Sequence, residues 1–208
     1  MSENSLSKIK STFELSIEVK NKILEDNIYE VLQEAGDLIV DSILEGGKLL
    51  ICGNGGSASD AQHLVAEFLV RLNSDVNRQG LPAMSLLQDT STITACLNDY
   101  NSDEIFSRNL ETLSSSQDVL LVISTSGNSP NIIKTLESAK MLKLKSIGFL
   151  GNNGGKALSF CDVAFVVPSK SIARIQEAHI TAGHATLQYI EDKLMERDFL
   201  RFREDSDA

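Results

Sequence analysis

The stretch ICGNGGSASDAQHLVAEFLV, at residues 51–70, decides how the rest of the chain is interpreted. It opens with a short apolar run, breaks into a Gly-Asn-Gly-Gly-Ser turn and resumes with the spacing of a helix. A buried strand, a glycine-rich turn and a helix, in this order, are typical of one unit of a parallel α/β sheet. The helix carries His63 and Glu67 one turn apart on one face, where they suit metal binding or proton transfer.

The same pattern recurs along the chain. Further apolar runs bounded by turn residues predict strands at 82–87, 118–124, 146–151 and 162–167. Helical spacing in the connections predicts helices at 90–97, from 105 onward, at 131–142 and at 173–197. We therefore predict an α/β fold, with a doubly wound, mainly parallel five-stranded sheet flanked by helices.

The N-terminal segment reads as two helices, with a break near residues 25–27 and a glycine pair at 46–47 past the second helix. This predicts an N-terminal helical hairpin within residues 1–45, followed by the α/β core and a long C-terminal helix within 46–208. No linker or long internal repeat divides the sequence, so we expect one domain over 1–208. The last residues, 201–208, are charged and are expected to fray.

Composition and charge exclude several classes of protein. Of the 208 residues, 42% are hydrophobic and 23% are charged, as in ordinary globular proteins. The net charge of -10 argues against a nucleic-acid-binding protein, which needs a basic face. Three widely spaced cysteines without a CxxC pattern argue against disulfides and a cysteine zinc site. A polar N-terminus and no apolar run of about 18 residues predict a cytoplasmic protein without a membrane span.

The motif STSGNS, at 124–129, supplies four hydroxyls directly after a predicted strand: Ser124, Thr125, Ser126 and Ser129. Gly127 permits close backbone approach, and Pro130 suits the first turn of the next helix. Backbone N–H groups at such a helix start favour a phosphate, although a plain capped helix would also use Ser or Asn. The chain lacks GxxxxGK[ST] and a strand-bound GxGxxG, so the sequence does not support nucleotide binding.

The long C-terminal helix contains ARIQEAHITAGHATLQYIED, at 173–192. Gln176 and His184 lie two turns apart along it, and Gly183 leaves room beside His184. His179 is an equally good functional candidate on spacing alone. His63 and Glu67 by themselves would also fit a surface pair worth a few tenths of a kcal/mol.

Four motifs in this order carry a family resemblance: CGNGGSASDAQHLVAEF, NDYNSDEIFSR, STSGNSPN and ARIQEAHITAGH. Together they closely resemble the bacterial phosphoheptose (sedoheptulose 7-phosphate) isomerases of the sugar isomerase, or SIS, superfamily, over nearly the whole chain. The resemblance implies the SIS fold, one zinc ion per subunit, a homotetramer with sites between subunits, and an aldose-ketose isomerase acting in heptose biosynthesis for a lipopolysaccharide or capsule.

The resemblance also implies roles for individual residues. The catalytic pair would be Glu67 and His184, which chooses His184 over His179. The zinc ligands would be His63, Glu67, Gln176 and His184. The substrate would contact Glu67 and Gln176 as well as Asn54, Gly55, Gly56, Asn98, Asp99, Ser124, Thr125, Ser126 and Ser129. Ile172 and Ala173 depart from residues seen in many relatives, which bears on substrate fit.

Some relatives of this kind bind a replication-initiator protein and catalyse nothing, which gives the alternative interpretation. Retention of Glu67, Gln176 and His184 favours the enzyme. A sensor domain of a regulator is a third reading, but the sequence offers no DNA-binding segment for it to control. The number of carbons in the sugar, the glycan it serves and whether zinc is catalytic or organising stay open on the sequence.

Overall fold

The chain forms one parallel sheet in the computed structural model, which describes residues 5–87 and 89–202. The strands are β1 (Leu49–Gly53), β2 (Ala83–Ser85), β3 (Val119–Ser124), β4 (Lys145–Gly151) and β5 (Val163–Val167). The helices are α1 (Ser5–Glu25), α2 (Val31–Leu44), α3 (Gly56–Leu69), α4 (Thr90–Asp99), α5 (Ser107–Leu113), α6 (Pro130–Leu142) and α7 (Ile172–Glu196). The strand order is β2-β1-β3-β4-β5, with every pair parallel. The predicted fold class is confirmed.

Helices cover both faces of the sheet, and β3 shows why. Its six residues are all buried, and the five apolar ones alternate between two cores. Leu121 and Ile123 pack into a core that also takes apolar residues from α2, α3 and α7. Leu120 and Val122 pack into a second core with residues of α5 and α6. Burial on both faces explains the unbroken apolar run, because neither face of the strand meets water.

The predicted helical hairpin is present, but its two helices are buried to different extents. The break lies at Asn27, whose φ of 55° is left-handed. Helix α2 packs against α7 and the sheet, whereas α1 buries only Ile23 among its residues. Arg174 Nη1 donates to the Thr12 carbonyl over 2.6 Å and ties α1 to the start of α7.

The observed elements differ from the predicted ones mainly at their ends. Strand β2 lies at one edge of the sheet and pairs with β1 over three residues, although the Leu86 N–H still donates to the Ile51 carbonyl over 2.9 Å. The fraying predicted for 201–208 falls, from residue 203 onward, outside the described residues. The expectation of a single domain over 1–208 stays a prediction. None of the described helices has the length and apolar character needed to cross a membrane.

Candidate functional site

Helices α3 and α7 lie side by side and run in the same direction. At their starts, a Cβ on Gly56 would lie 2.4 Å from Nε2 of Gln176. Two turns further, a Cβ on Gly183 would lie 2.6 Å from Cδ2 of Leu64. A larger residue at either position would force the Gln176 or the Leu64 side chain to move, since real Cβ atoms do not approach so closely. The predicted room beside His184 is thus used by the neighbouring helix, whose side chain at Leu64 fills it.

This close packing brings three of the predicted residues together. Nε2 of His63 lies 2.9 Å from Nε2 of His184 and 3.4 Å from Oε1 of Glu67. The ligand atoms of His63, Glu67 and His184 all lie within 4.8 Å of one another. The side chain of Glu67 is 19% exposed, and its Oε2 atom is buried without a hydrogen-bond partner. The site therefore combines two imidazoles with a carboxylate oxygen that still needs a partner.

This donor set matches the preferences of zinc. Two histidine nitrogens and one carboxylate oxygen form a common set of protein ligands for a catalytic Zn²⁺. The short distance between the two Nε2 atoms requires one ring to donate a proton and the other to accept it, or a cation to take both lone pairs. The buried Glu67 Oε2 supplies a further acceptor. The residues present therefore fit a metal ion.

The structure separates the two histidines of α7 that the sequence left open. His179 is 1% exposed, and its Nε2 donates to the Leu150 carbonyl over 3.0 Å. Its ring packs beside those of Phe149 and Phe165, at centroid distances of 6.0 and 6.5 Å. Burial lowers the pKa of His179 to about 4, and the hydrogen bond to Leu150 offsets part of this effect. His179 is thus a neutral core residue, whereas His184 faces His63.

The hydroxyl-rich loop after β3 holds its own shape. Ser124 Oγ accepts the Gly127 N–H, and Ser126 Oγ accepts the Asn128 N–H, each over 3.1 Å. Ser129 stands at the N-cap of α6 but makes no side-chain capping bond. A plain capped helix would use that hydroxyl, so its freedom favours an external partner. The hydroxyl hydrogens of Ser124 and Ser126 also stay available as donors.

A second turn, at residues 152–155, supports this loop from behind. Gly127 has a φ of 62°, and a Cβ there would lie 1.9 Å from the Gly154 carbonyl oxygen. A Cβ on Gly155 would lie 2.4 Å from the Ser126 carbonyl oxygen. The Lys156 N–H donates to Asn128 Oδ1 over 3.1 Å. The glycines in both turns allow the two backbones to pack directly against each other.

Contacts at the carboxyl edge of the sheet link this loop to the other elements. The side chains of Asn54, in the loop after β1, and Asn131, in the first turn of α6, exchange two amide hydrogen bonds of 2.9 and 3.0 Å. A Cβ on Gly151 would lie 2.5 Å from the Thr125 carbonyl and 2.6 Å from Ile175 of α7. The first turns of α3, α6 and α7 therefore meet at one edge, as expected for a ligand site in an open parallel sheet.

Asn98 and Asp99, two of the predicted substrate contacts, bond to each other. They are exposed at the end of α4, and Asn98 Nδ2 donates to Asp99 Oδ1 over 2.7 Å. Among the described hydrogen bonds, none connects either residue to His63, Glu67 or His184.

Sequence reasoning missed three polar residues around the site. Asn131 pairs with Asn54, and only its position next to STSGNSP signals it. Asp60 lies one turn before His63 with a buried, unpartnered Oδ2; burial raises its pKa, and the charge of His63 offsets part of this. Arg78 binds the last turn of α3, and no local pattern around it predicts such a role.

The fold and the site together place the chain in the class of SIS domain proteins. A model of the SIS domain family matches residues 13–151. The phosphoheptose isomerase of Thermodesulfovibrio yellowstonii is 46% identical over 189 residues, covering 91% of this chain and 92% of that protein. The phosphoheptose isomerase of Clostridium acetobutylicum is 43% identical over 187 residues, covering 89% and 94%.

Solved structures agree with the sequence relatives. A phosphoheptose isomerase from Francisella tularensis superposes with a TM-score of 0.86 at 37% identity, over 91% of this chain and all of the other. The phosphoheptose isomerase of Neisseria gonorrhoeae gives 0.84 at 37% identity with the same coverage. The chain therefore belongs to the phosphoheptose isomerases of the SIS domain family, as the sequence motifs predicted.

Proposed function

We propose that the chain interconverts D-sedoheptulose 7-phosphate and D-glycero-D-manno-heptose 7-phosphate through an enediol. This reaction is the first step towards an activated heptose, either ADP- or GDP-linked. The observation that carries the proposal is the meeting of Glu67 and His184 on two helices, far apart in sequence, that both begin at the edge bearing the hydroxyl-rich loop. The names of the relatives support the same reaction.

The phosphate would be bound by Ser124, Thr125, Ser126 and Ser129. Their hydroxyls stand at the first turn of α6, a helix of 13 residues whose N-terminal N–H groups and dipole favour an anion. The site needs no lysine for this purpose, and binding energy from the phosphate, remote from the reacting carbons, positions the open-chain sugar. Asn54, Gly55, Gly56, Asn98, Asp99 and Gln176 would contact the sugar.

The chemistry needs one group that moves a proton between C1 and C2 and another that serves their oxygens. We assign the Glu67 carboxylate to carbon: it removes the proton from C1 of the ketose and returns it to C2. We assign the His184 imidazole to oxygen, where it donates to one oxygen and accepts from the other. A partly buried carboxylate and an imidazole suit general acid–base work at neutral pH. A positioned acid–base group of this kind contributes about 10²–10⁴-fold in rate.

One zinc ion per subunit would be held by His63, Glu67, Gln176 and His184. The close approach of the two Nε2 atoms and the unpartnered Oε2 of Glu67 support this ligand set. When bound, Zn²⁺ would polarise the carbonyl and stabilise the negative charge that develops on oxygen. Because a carboxylate on zinc is a weaker base than a free one, zinc occupancy and activity have to be measured together in every variant.

A homotetramer in the cytoplasm completes the proposal. Along α1, one apolar face is left exposed: Ile9, Phe13 and Ile17 are 58%, 68% and 58% accessible. A stripe of this kind on an ordered helix fits an interface between copies of the chain. Neighbouring subunits would then bring further groups towards sites such as Asn98 and Asp99. The three cysteines are free thiols, which fits a reducing compartment.

The non-catalytic alternative, a protein that binds a replication initiator, is not favoured. Its members can dispense with an acid–base pair, whereas here Glu67 and His184 are both present and adjacent. The relatives at 43–46% identity carry an enzyme name. No observation on the described residues favours a protein-binding role over turnover.

The test is incubation of the purified protein with sedoheptulose 7-phosphate, with the product identified by NMR. Ribose 5-phosphate and fructose 6-phosphate run alongside at equal concentration. We expect the aldoheptose phosphate to form, and the two shorter sugars to turn over far more slowly. Absence of turnover on all three sugars, at full zinc occupancy, would refute the proposed activity. Faster turnover of a shorter sugar would refute the seven-carbon substrate.

A further inference from the structure

Arg78 is a buried cation at the place where α3 ends. It is 3% exposed and lies in the loop between α3 and β2. Its Nη2 donates to the carbonyl of Glu67, and its Nη1 donates to the carbonyl of Phe68, each over 3.0 Å. Its Nε donates to Oε1 of Glu191 over 2.5 Å, an ion pair whose two side chains are 0% and 1% exposed. One guanidinium therefore joins the last turn of α3 to α7.

The backbone of this loop is fixed as well. Arg78 forms an isolated antiparallel bridge with Phe202, beyond the end of α7. The Gln79 N–H donates to the Arg201 carbonyl, and the Arg201 N–H donates to Gln79 Oε1, each over 2.9 Å. The guanidinium is thus presented from a segment that is itself attached to the chain after α7.

Stability alone does not explain this ion pair. Moving two charges out of water carries a large free-energy cost, which is offset only when geometry and hydrogen bonding are complete. Here Glu191 Oε2 is buried without a hydrogen-bond partner among the described residues. An incompletely satisfied buried pair is a weak source of stability, and an apolar pair of similar volume often serves as well. The role of the pair is better sought in the groups that the guanidinium binds, the carbonyls of Glu67 and Phe68.

The guanidinium holds the two residues of the acid–base pair through their helices. The Glu67 carbonyl belongs to the last turn of α3, where carbonyls lack partners within the helix and favour a cation. Glu191 lies seven residues, or two turns, after His184 on the same face of α7. Arg78 therefore contacts the backbone of one catalytic candidate and, through Glu191, the helix of the other.

We propose that Arg78, together with Glu191, is a positioning residue that sets the Glu67 carboxylate relative to His184. We call the Arg78–Glu191 pair the clamp. This inference rests on the proposed function, because it assigns the clamp to that same site. Misplacing a catalytic group by about 1 Å costs as much as 10²-fold in rate. Because Glu67 is also a candidate zinc ligand, a shift of α3 would weaken metal binding too.

The test compares Arg78→Lys and Glu191→Gln with a control ion pair at the opposite edge of the sheet. Arg78→Lys keeps the charge but loses the planar guanidinium with its several N–H donors, while Glu191→Gln keeps the shape and loses the charge. In the control, Asp118→Asn breaks the pair between Lys48 Nζ and Asp118 Oδ2, at 2.6 Å, before β1 and β3. That carboxylate is also 0% exposed, so its loss destabilises the fold without touching α3 or α7.

We expect the two clamp variants to lose kcat by about 10–100-fold and zinc affinity by about 10–100-fold, the usual cost of losing an outer-shell partner. Zinc affinity is measured by titration against a chromophoric chelator. KM for the phosphosugar should stay within about twofold, since phosphate binds on α6. Asp118→Asn should lower the melting temperature by about as much as the two clamp variants do, but it should leave kcat and zinc affinity unchanged.

A double variant, Arg78→Met with Glu191→Met, separates positioning from folding. It removes both charges, so the melting temperature should recover relative to the single variants, whereas kcat and zinc affinity should stay low because the Glu67 carbonyl still lacks its donor. Recovery of kcat in step with the melting temperature, or unchanged kcat and zinc affinity in both single variants, would overturn the inference. A wild-type protein that turns over no phosphosugar would instead refute the proposed function, and the zinc titrations would still decide on the clamp.

Discussion

The His179→Phe substitution separates the two histidines of α7 by the properties that each controls. Phenylalanine keeps an aromatic ring beside Phe149 and Phe165 but removes the titrating group and the hydrogen bond to Leu150. Because His179 lies in the core and away from Glu67, we expect turnover to change by no more than a few-fold. His184→Phe, the matched control on the same helix, should abolish turnover.

The size of the effect on stability follows from the pKa. Burial lowers the pKa of His179 from 6.5 to about 4. Between these values the unfolded chain binds a proton that the native state rejects, so protonation favours unfolding. The native state with a neutral His179 keeps its full stability above pH 6.5 and loses stability as the pH falls towards 4. The gap between the two pKa values corresponds to about 3 kcal/mol in the free energy of unfolding.

Urea unfolding followed by circular dichroism, at pH values from about 7 down to about 4, measures this term. Wild type should lose about 3 kcal/mol more than His179→Phe over that range. At pH 7 the variant should be less stable than wild type, because the Leu150 carbonyl loses its donor. Parallel pH profiles in the two proteins would refute the account of His179 as a buried neutral residue, and so would loss of turnover in His179→Phe.

Three further predictions concern helix packing, phosphate binding and assembly. Gly183→Val forces a side chain against Leu64, and urea titration should show a loss of about 1–3 kcal/mol from overpacking; full stability would contradict the close contact. Ser129→Ala should raise KM for the phosphosugar by about 10-fold or more, with unfolding in urea unchanged because this hydroxyl caps nothing; an unchanged KM would count against the phosphate loop. Phe13→Glu should lower the molar mass measured by light scattering, whereas Glu14→Gln, on the same helix, should not. An unchanged molar mass in Phe13→Glu would show that α1 does not form the proposed interface.

The sequence predicted the sheet well because its strands are buried on both faces. The run at β3 is apolar from Val119 to Ile123, so a strand covered by helices on two sides is the natural interpretation. At the edge strand β2 the same reasoning placed the end too late, since Leu86 and Leu87 are apolar but lie past the pairing with β1. Apolar runs report burial, and they do not report where hydrogen bonding to a neighbour stops.

The site was predictable where local spacing carries it. His63 and Glu67 are four residues apart on one helix, so their proximity needs no tertiary information. The choice between His179 and His184 depended on which face of α7 meets α3, which spacing cannot supply and Gly183 settles by permitting contact with Leu64. Arg78 could not have been found in this way, because its partner Glu191 lies 113 residues away.

Turnover of sedoheptulose 7-phosphate by Glu67→Gln and His184→Gln, with zinc content measured in each protein, tests the central claim most directly. Each variant keeps the size of its side chain and loses the proton-transferring group. The account predicts that kcat falls by about 10²–10⁴-fold in both, even when enough zinc is added to bring occupancy to the wild-type level. Near-normal turnover in either zinc-loaded variant would contradict it.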